Sequence, residues 1–360
     1  MADLSTAELV SSQEDIPPRG LVKSVFVWLM IVYCMIFAMV MVGGITRLTG
    51  SGLSMVEWHP LMGAVPPSGA EQWNNVFQKY QKSPQYKKVN HWMTIDDFKR
   101  IFFWEYFHRL LGRLIGVVFF LPWLYFVIRK RIRGKLLIHT LYLFFLGGAQ
   151  GLLGWYMVKS GLVDQPAVSH YRLAAHLMLA FFVAVAILWV VFNQRHALPT
   201  APPAHKRLRL FLLLFTGLLV LQIVYGAFMA GTRAGYLYST FPTMNGEWIP
   251  TAFFGMKPAW RNFLENPTGI HFLHRLLGWL LIPLGLAIWA FGRKDSFSHR
   301  RRSTMLIGTF TLVQFLLGAL TVIFHMPIWL ATIHQGGALL LLSVAAYGLH
   351  SSRKIPALSA

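Results

Sequence analysis

Apolar residues run along this chain in eight long blocks, not in the alternation of a half-buried strand or the single stripe of a soluble amphipathic helix. A helix crossing the hydrocarbon of a bilayer needs about 20 mostly apolar residues. The blocks that meet this length lie at about 24–45, 103–128, 136–157, 172–192, 209–230, 270–291, 304–324 and 329–350. Polar positions gather in clusters between them, so the pattern predicts an all-α integral membrane protein with eight transmembrane helices.

The blocks also repeat. Glu105-Tyr106-Phe107-His108-Arg109-Leu110-Leu111-Gly112 in the second returns as His271-Phe272-Leu273-His274-Arg275-Leu276-Leu277-Gly278 in the sixth. Gln150 in Ala149-Gln150-Gly151-Leu152-Leu153-Gly154 falls on Gln314 in Val313-Gln314-Phe315-Leu316-Leu317-Gly318. His176 pairs with His334, and Thr46-Arg47 with Thr232-Arg233. Helices one to four and five to eight therefore read as one unit used twice: two tandem four-helix bundles, a 4+4 pseudo-two-fold repeat about an axis along the membrane normal. This divides the chain into an N-terminal tail 1–23, a first half 24–192 with a long outer loop 47–102, a linker 193–208, a second half 209–350 and a C-terminal tail 351–360.

Charge orients these helices. The net charge of +20 comes from Lys and Arg in short runs, such as Arg129, Lys130, Arg131, Arg133 and Lys135 after the second block and Arg293, Lys294, Arg300, Arg301 and Arg302 after the sixth. Such loops are cytoplasmic by the positive-inside rule, which puts the linker and both termini inside. The first twenty residues carry Glu8, Glu14 and Asp15 and no Arg-rich amphipathic pattern, so no cleaved leader is expected. No basic face is sustained over a folded length, which argues against nucleic acid. The single cysteine, Cys34, lies in an apolar run, so one chain can build neither a disulfide nor a thiolate metal site.

Four histidines then carry the chemistry. His108 and His274 lie near the outer starts of helices two and six, His176 and His334 near those of helices four and eight. Ionisable residues at such depth are costly and functional more often than not. Each half can direct two imidazoles at a shared slot, and two imidazoles with no Cys, Asp or Glu pair beside them suit a bis-His haem better than zinc. The expectation is two haems, one per half. Arg47, Arg109, Arg113, Arg172, Arg233 and Arg275 stand at the outer helix ends, where Arg forks suit haem propionates and where snorkelling also places arginines. The remaining histidines, among them His59, His170, His196, His299 and His350, fall in loops or at helix edges.

One difference breaks the symmetry: Glu105 occupies the position that His271 holds in the second half. Three residues apart on a helix, Glu105 and His108 share nearly one face with a rise of about 4.5 Å. The carboxylate thus lies beside a porphyrin edge, away from the iron, and its neighbours Phe103, Trp104 and Phe107 predict an apolar pocket around it. A helix-terminal acid explains it blandly. A catalytic carboxylate, taking a proton from water or stabilising a cation at the ring periphery, explains it better. A dihaem b-type, quinol-linked electron-transfer cytochrome would account for the histidines without needing this carboxylate. A transporter would call for a broken helix or further mid-membrane charges, which the sequence lacks.

At these residues the chain resembles haem A synthase. The likeness covers about residues 24–350: eight helices in a repeat, Glu-x-x-His in helix two, His-x-x-His in helix six, one His each in helices four and eight, and the glycine-rich Gly43-Gly44-Ile45-Thr46-Arg47-Leu48-Thr49-Gly50-Ser51-Gly52. The resemblance implies that His108 and His176 hold the substrate haem O, and that His274 and His334 are the axial ligands of a haem b cofactor. It implies that Glu105 is the essential carboxylate, and that the C8 methyl is oxidised through an alcohol and a gem-diol to a formyl group with oxygen from water. Arg47, Arg109, Arg233, Arg275 and His271 would contact propionates or support the ligands. The short, acidic N-terminus favours a bacterial inner membrane over a mitochondrial one. The resemblance implies product haem A, an electron acceptor outside the chain, and haem O synthase and cytochrome oxidase assembly factors as partners. Glycine-rich faces suit repeat packing and a homo-oligomer contact equally. Some members carry a cysteine pair in the first outer loop; with none there, this chain resembles the cysteine-free type of proteobacteria and mitochondria.

Overall fold

A computed structural model describes residues 22–57, 65–162, 166–193 and 202–353. Most of both tails, part of the linker, His59 and His196 lie outside them. Ten α-helices are found among the described residues: α1 (Lys23–Leu48), α2 (Gly69–Gln81), α3 (Ile95–Ile128), α4 (Gly134–Lys159), α5 (His170–Asn193), α6 (Lys206–Thr232), α7 (Arg261–Leu264), α8 (Pro267–Gly292), α9 (Ser298–Ile323) and α10 (Ile328–Ser351). All but α2 and α7 are long and apolar enough to span a membrane. They match the eight expected blocks, and the chain is a multi-pass membrane protein.

The ends of the helices differ from the hydropathy spans because caps, not hydrophobicity, set them. Thr94 and Asp97 form a capping box, each side chain taking the other's backbone N–H, so α3 begins at Ile95. Its first two turns therefore leave the apolar block and carry Phe98, Ile101 and Phe102 into a small aromatic core with Tyr80 of α2. Helix α6 starts at Lys206, inside the expected linker, and α9 takes in His299 to Arg302.

Helices α1, α5, α6 and α10 pack side by side through the middle, with α3 against α1, α4 against α5, α8 against α6, and α9 against α8 and α10. Their contact forms the main core, which includes Val25, Leu29, Phe181, Ile187, Phe215, Leu339 and Ala345. Two polar contacts within this apolar medium tie helices together. Tyr33 Oη and Ser343 Oγ, 2.9 Å apart, join α1 to α10, and Trp28 Nε1 donates to the Val118 carbonyl at 2.9 Å, joining α1 to α3.

Beyond one end of the bundle, residues 49–57 and 65–94 form a cap. Asn90 Nδ2 donates to Tyr80 Oη at 2.7 Å, Tyr80 Oη donates to Gln85 Oε1 at 3.0 Å, and Gln85 Nε2 donates to the Gly50 carbonyl at 2.8 Å. This chain of bonds ties α2 to the end of α1. Burial pushes the Tyr80 phenol up to about 12. Its neutral form therefore stabilises the cap fully below the ordinary tyrosine value of about 10, and that contribution disappears as pH rises from about 10 to about 12. Fluorescence of Trp73, which packs edge-on against Phe98 and Phe102 of the same core, is expected to report loosening in that window, and Tyr80→Phe to remove its tyrosine-dependent part.

Glycine decides the α7–α8 approach. A Cβ at Gly269 would lie 2.0 Å from the Asn262 carbonyl oxygen, a backbone atom that no rotamer change can move. Gly269→Ala is expected to cost about 1–3 kcal/mol and lower the melting temperature in detergent. Gly217→Ala, whose Cβ meets nothing within 4 Å, should leave it unchanged or raise it.

Candidate functional site

Helix α3 brings Glu105 and His108 to the cap end of a cavity of about 1650 Å³, and α5 brings His176. His274 of α8 and His334 of α10 line the same cavity. The four histidines selected by the repeat thus open onto one continuous space.

Each imidazole is seated the same way. A Cβ at Gly43 would stand 3.3 Å from His108 Nε2, at Gly154 3.0 Å from His176 Cε1, at Gly226 3.3 Å from His274 Cε1, and at Gly318 2.9 Å from His334 Cε1. Glycine is needed at all four places because the ring lies against the neighbouring backbone. One turn before three of these glycines stands a glutamine. Gln150 Nε2 donates to the His176 carbonyl at 3.0 Å, Gln222 Nε2 lies 3.3 Å from His274 Nε2, and Gln314 Nε2 donates to the His334 carbonyl at 2.6 Å. The fourth companion is Met39. Its methyl lies 3.3 Å from where a Gly112 Cβ would be, just as Gln222 lies 3.6 Å from the repeat-equivalent Gly278. Gln222 and Gly226 were not named in the sequence reading, and Gly43, Gly154 and Gly318 stood there only within longer motifs, although Gln-x-x-x-Gly at 150, 222 and 314, with Met-x-x-x-Gly at 39, was the signal.

These residues fit a pair of axially ligated tetrapyrroles. The His274 and His334 rings have centroids 6.4 Å apart with planes at 82°. Half of that distance matches a metal–nitrogen bond of roughly 2.0–2.1 Å plus about 1.1 Å from nitrogen to ring centre. The Nδ1 atoms of His176, His274 and His334 are buried without a hydrogen-bond partner. Among the described residues no cluster of three His, Cys, Asp or Glu side chains could hold a metal ion, so the available donors are imidazole pairs.

Glu105 is 3% exposed, but its surroundings are polar, contrary to the expected apolar pocket. Phe103 and Phe107 are exposed on the outer side of α3. Ser54 Oγ donates to Glu105 Oε2 at 2.7 Å, the Met55 N–H to the same oxygen at 2.8 Å, and Arg109 Nη2 to Oε1 at 2.5 Å. Three donors on a carboxylate with about four lone-pair sites leave one for a water or substrate. Arg109 also donates to the carbonyls of Met55 and Glu57, so it fastens the cap over the cavity.

The second half uses the same device with an imidazole. His271 is fully buried; its Nδ1–H donates to the Ala234 carbonyl at 3.0 Å and its Nε2 accepts from Arg275 Nε at 2.9 Å, which fixes one neutral tautomer. Arg275 in turn donates to the carbonyls of Tyr238, Thr240 and Thr243. Arg109 and Arg275 are therefore engaged with loop backbone. Arg47 donates to the Ala230 carbonyl and lines the cavity, as do Arg233 and Arg113. Arg172 lies over the Tyr156 ring at 3.8 Å.

The profile of the COX15-CtaA family, described as cytochrome oxidase assembly protein, matches residues 26–346. Among curated proteins the chain is 47% identical over 325 residues to a "Heme A synthase" of Nitrosomonas eutropha, covering 89% of this chain and 91% of the relative. It is 45% identical to one of Nitrosospira multiformis (92% and 94% covered) and 42% identical to one of Parvibaculum lavamentivorans (91% and 94%).

The Arg109 contacts generate a local prediction. In Arg109→Ala the Met55–Glu57 segment loses two of its ties, and amide exchange measured by mass spectrometry should quicken there by about tenfold or more. Arg275→Ala should quicken exchange over 238–243 instead, leaving 55–57 as in the unaltered protein.

Proposed function

The chain belongs to the COX15-CtaA family, and from that premise we propose how its two halves divide the work of a haem A synthase. The activity is that of an oxidoreductase converting haem O to haem A. His108 and His176 hold haem O as substrate, and His274 and His334 hold a haem b. When bound, haem b supplies a one-electron acceptor beside the substrate. The observation that carries this assignment is the carboxylate: the two halves share the histidine seating and the arginine latch, yet only the first has an acid at the cavity wall, where the second has His271.

The C8 methyl of haem O is oxidised in two steps. Addition of water with loss of two electrons and two protons gives the hydroxymethyl group; a second such step gives the gem-diol, which loses water to leave the formyl group. In total, methyl plus one water becomes formyl with release of four electrons and four protons. Glu105 receives a proton from the attacking water through its open lone pair, while Ser54, the Met55 amide and Arg109 hold the carboxylate in place. His271 cannot replace it, because both ring nitrogens are already bonded. Arg47 and Arg233, at the cavity wall, meet the propionates; Arg109, Arg275 and His271 act through the loops they hold.

The positive loops place both termini in the cytoplasm and the histidine end toward the outer face of a bacterial inner membrane. The electrons leave to an acceptor outside the chain. Haem O synthase and oxidase assembly factors are the partners that would deliver substrate and take product. The relatives named above do not support the plain electron-transfer cytochrome.

Extracted pigments test this reading. Purified protein should carry haem b together with haem O, haem A or the hydroxylated intermediate, separable by chromatography with mass detection. Glu105→Gln should keep both pigments, accumulate haem O and form haem A at least about 100-fold more slowly. Unaltered protein holding haem b alone, two per chain, would contradict the assignment.

A further inference from the structure

The two halves differ at a second place, the seam between the helix that carries the first histidine and the helix that follows it. In the second half this seam, α8 against α9, is filled. Thr311 Oγ1 stands 2.9 Å from where a Gly285 Cβ would be, and Phe315 packs edge-on against Trp279, with ring centroids 4.7 Å apart. By the register that places Gln150 on Gln314, the residues matching Thr311 and Phe315 are Gly147 and Gly151.

In the first half the seam is open. Cβ atoms built on Gly116 of α3 and on Gly147, Gly148 and Gly151 of α4 meet nothing within 4 Å. All four glycines line the cavity that holds His108 and His176. Beside them Phe145 and Leu152, which also line the cavity, are 65% and 66% exposed. Helices α3 and α4 touch each other far less than α8 and α9 do. The result is an apolar slot that runs from the histidine pair sideways toward the hydrocarbon.

Resting on the assignment of haem O to the first half, we propose that this slot binds the isoprenoid tail of the substrate. Haem O bears a long farnesyl-derived chain that haem b lacks, so a half that takes haem O needs an apolar exit for the tail. A half that takes haem b does not. The glycines provide that exit where the second half has Thr311 and Phe315, and the slot is continuous with the ring site. The tail would lie between α3 and α4 with its far end in lipid, so that substrate can enter and product leave sideways without crossing the cap.

The test is a graded series at one position. Gly151→Ala, Gly151→Leu and Gly151→Phe, with Gly147→Thr, are expressed with haem O supplied, purified, and analysed for tailed pigment (haem O plus haem A) and haem b per chain. Tailed pigment should fall stepwise with side-chain size, reaching about tenfold in Gly151→Phe, the equivalent of about two buried methylene groups. Haem b should stay at the level of the unaltered protein. Gly151→Ala adds one methyl into open space and keeps the series informative if the Phe variant fails to fold; it should lower tailed pigment by about twofold to threefold. Phe315→Gly, which opens the second seam, should raise tailed pigment above that of the unaltered protein.

Tailed pigment that stays constant across the series would overturn the proposal, leaving the slot to lipid. So would a parallel loss of both pigments in Gly151→Ala. Unaltered protein with no tailed pigment would overturn the assignment of haem O itself, and the slot with it.

Discussion

A polar group inside an apolar medium has to find its partner within the protein, and the arginines that follow His108 and His274 show what this demands. Each is placed at depth by the helix that carries the histidine, and neither can stay unpaired there. Arg109 resolves this with Glu105 and two cap carbonyls; Arg275 does so with His271 and three loop carbonyls. The helix that presents a ring ligand therefore also fastens the lid above it. The position of the Glu105 carboxylate follows from the same bonds, since Ser54 and Met55, which hold it, belong to the segment that Arg109 holds.

Duplication makes the departures from symmetry readable as function. On the proposed assignment, the shared parts, four seated imidazoles and two arginine latches, serve both tetrapyrrole sites alike. The unshared parts all fall in the first half: an acid in place of His271, glycines in place of Thr311 and Phe315, and Met39 in place of Gln222. Each removes a fixed contact or adds a reactive one. A thioether cannot donate to an imidazole or its backbone as an amide can, so Met39 does not give His108 the contact that Gln150, Gln222 and Gln314 give the other three histidines. A site that must exchange its occupant differs from one that keeps it in this direction.

Much of this was legible in the sequence, and the remainder was hidden for identifiable reasons. The eight spans follow from apolar length, and the four histidines and Glu105 from a repeat that leaves few other ionisable residues in register. The start of α3 was misread by about eight residues because hydropathy does not register Thr94 and Asp97 as a cap. The polar setting of Glu105 was missed because its sequence neighbours Phe103 and Phe107 point outward, while its real partners, Ser54 and Met55, lie about fifty residues earlier. The glycine seats were overlooked because glycines in membrane helices are common, and only the approach of a ring shows which of them matter.

The halves also meet through more than packing. Gln335, next to His334, donates its Nε2–H to the Val40 carbonyl of α1 at 2.8 Å and lies against Gly44. Gly43, one residue away, seats His108. The second half's ligand helix is thus bonded to the strip of α1 on which the first half's ligand rests, through a handful of atoms at the centre of the bundle. A Cβ at Gly44 would stand 3.3 Å from the Gln335 amide and one at Gly43 3.3 Å from the His108 imidazole, so a side chain at either would press its neighbour aside by a few tenths of an ångström. On the proposed assignment, Gly43 and Gly44 therefore stand between the two sites, one against the ligand of the first half and one against the ligand helix of the second.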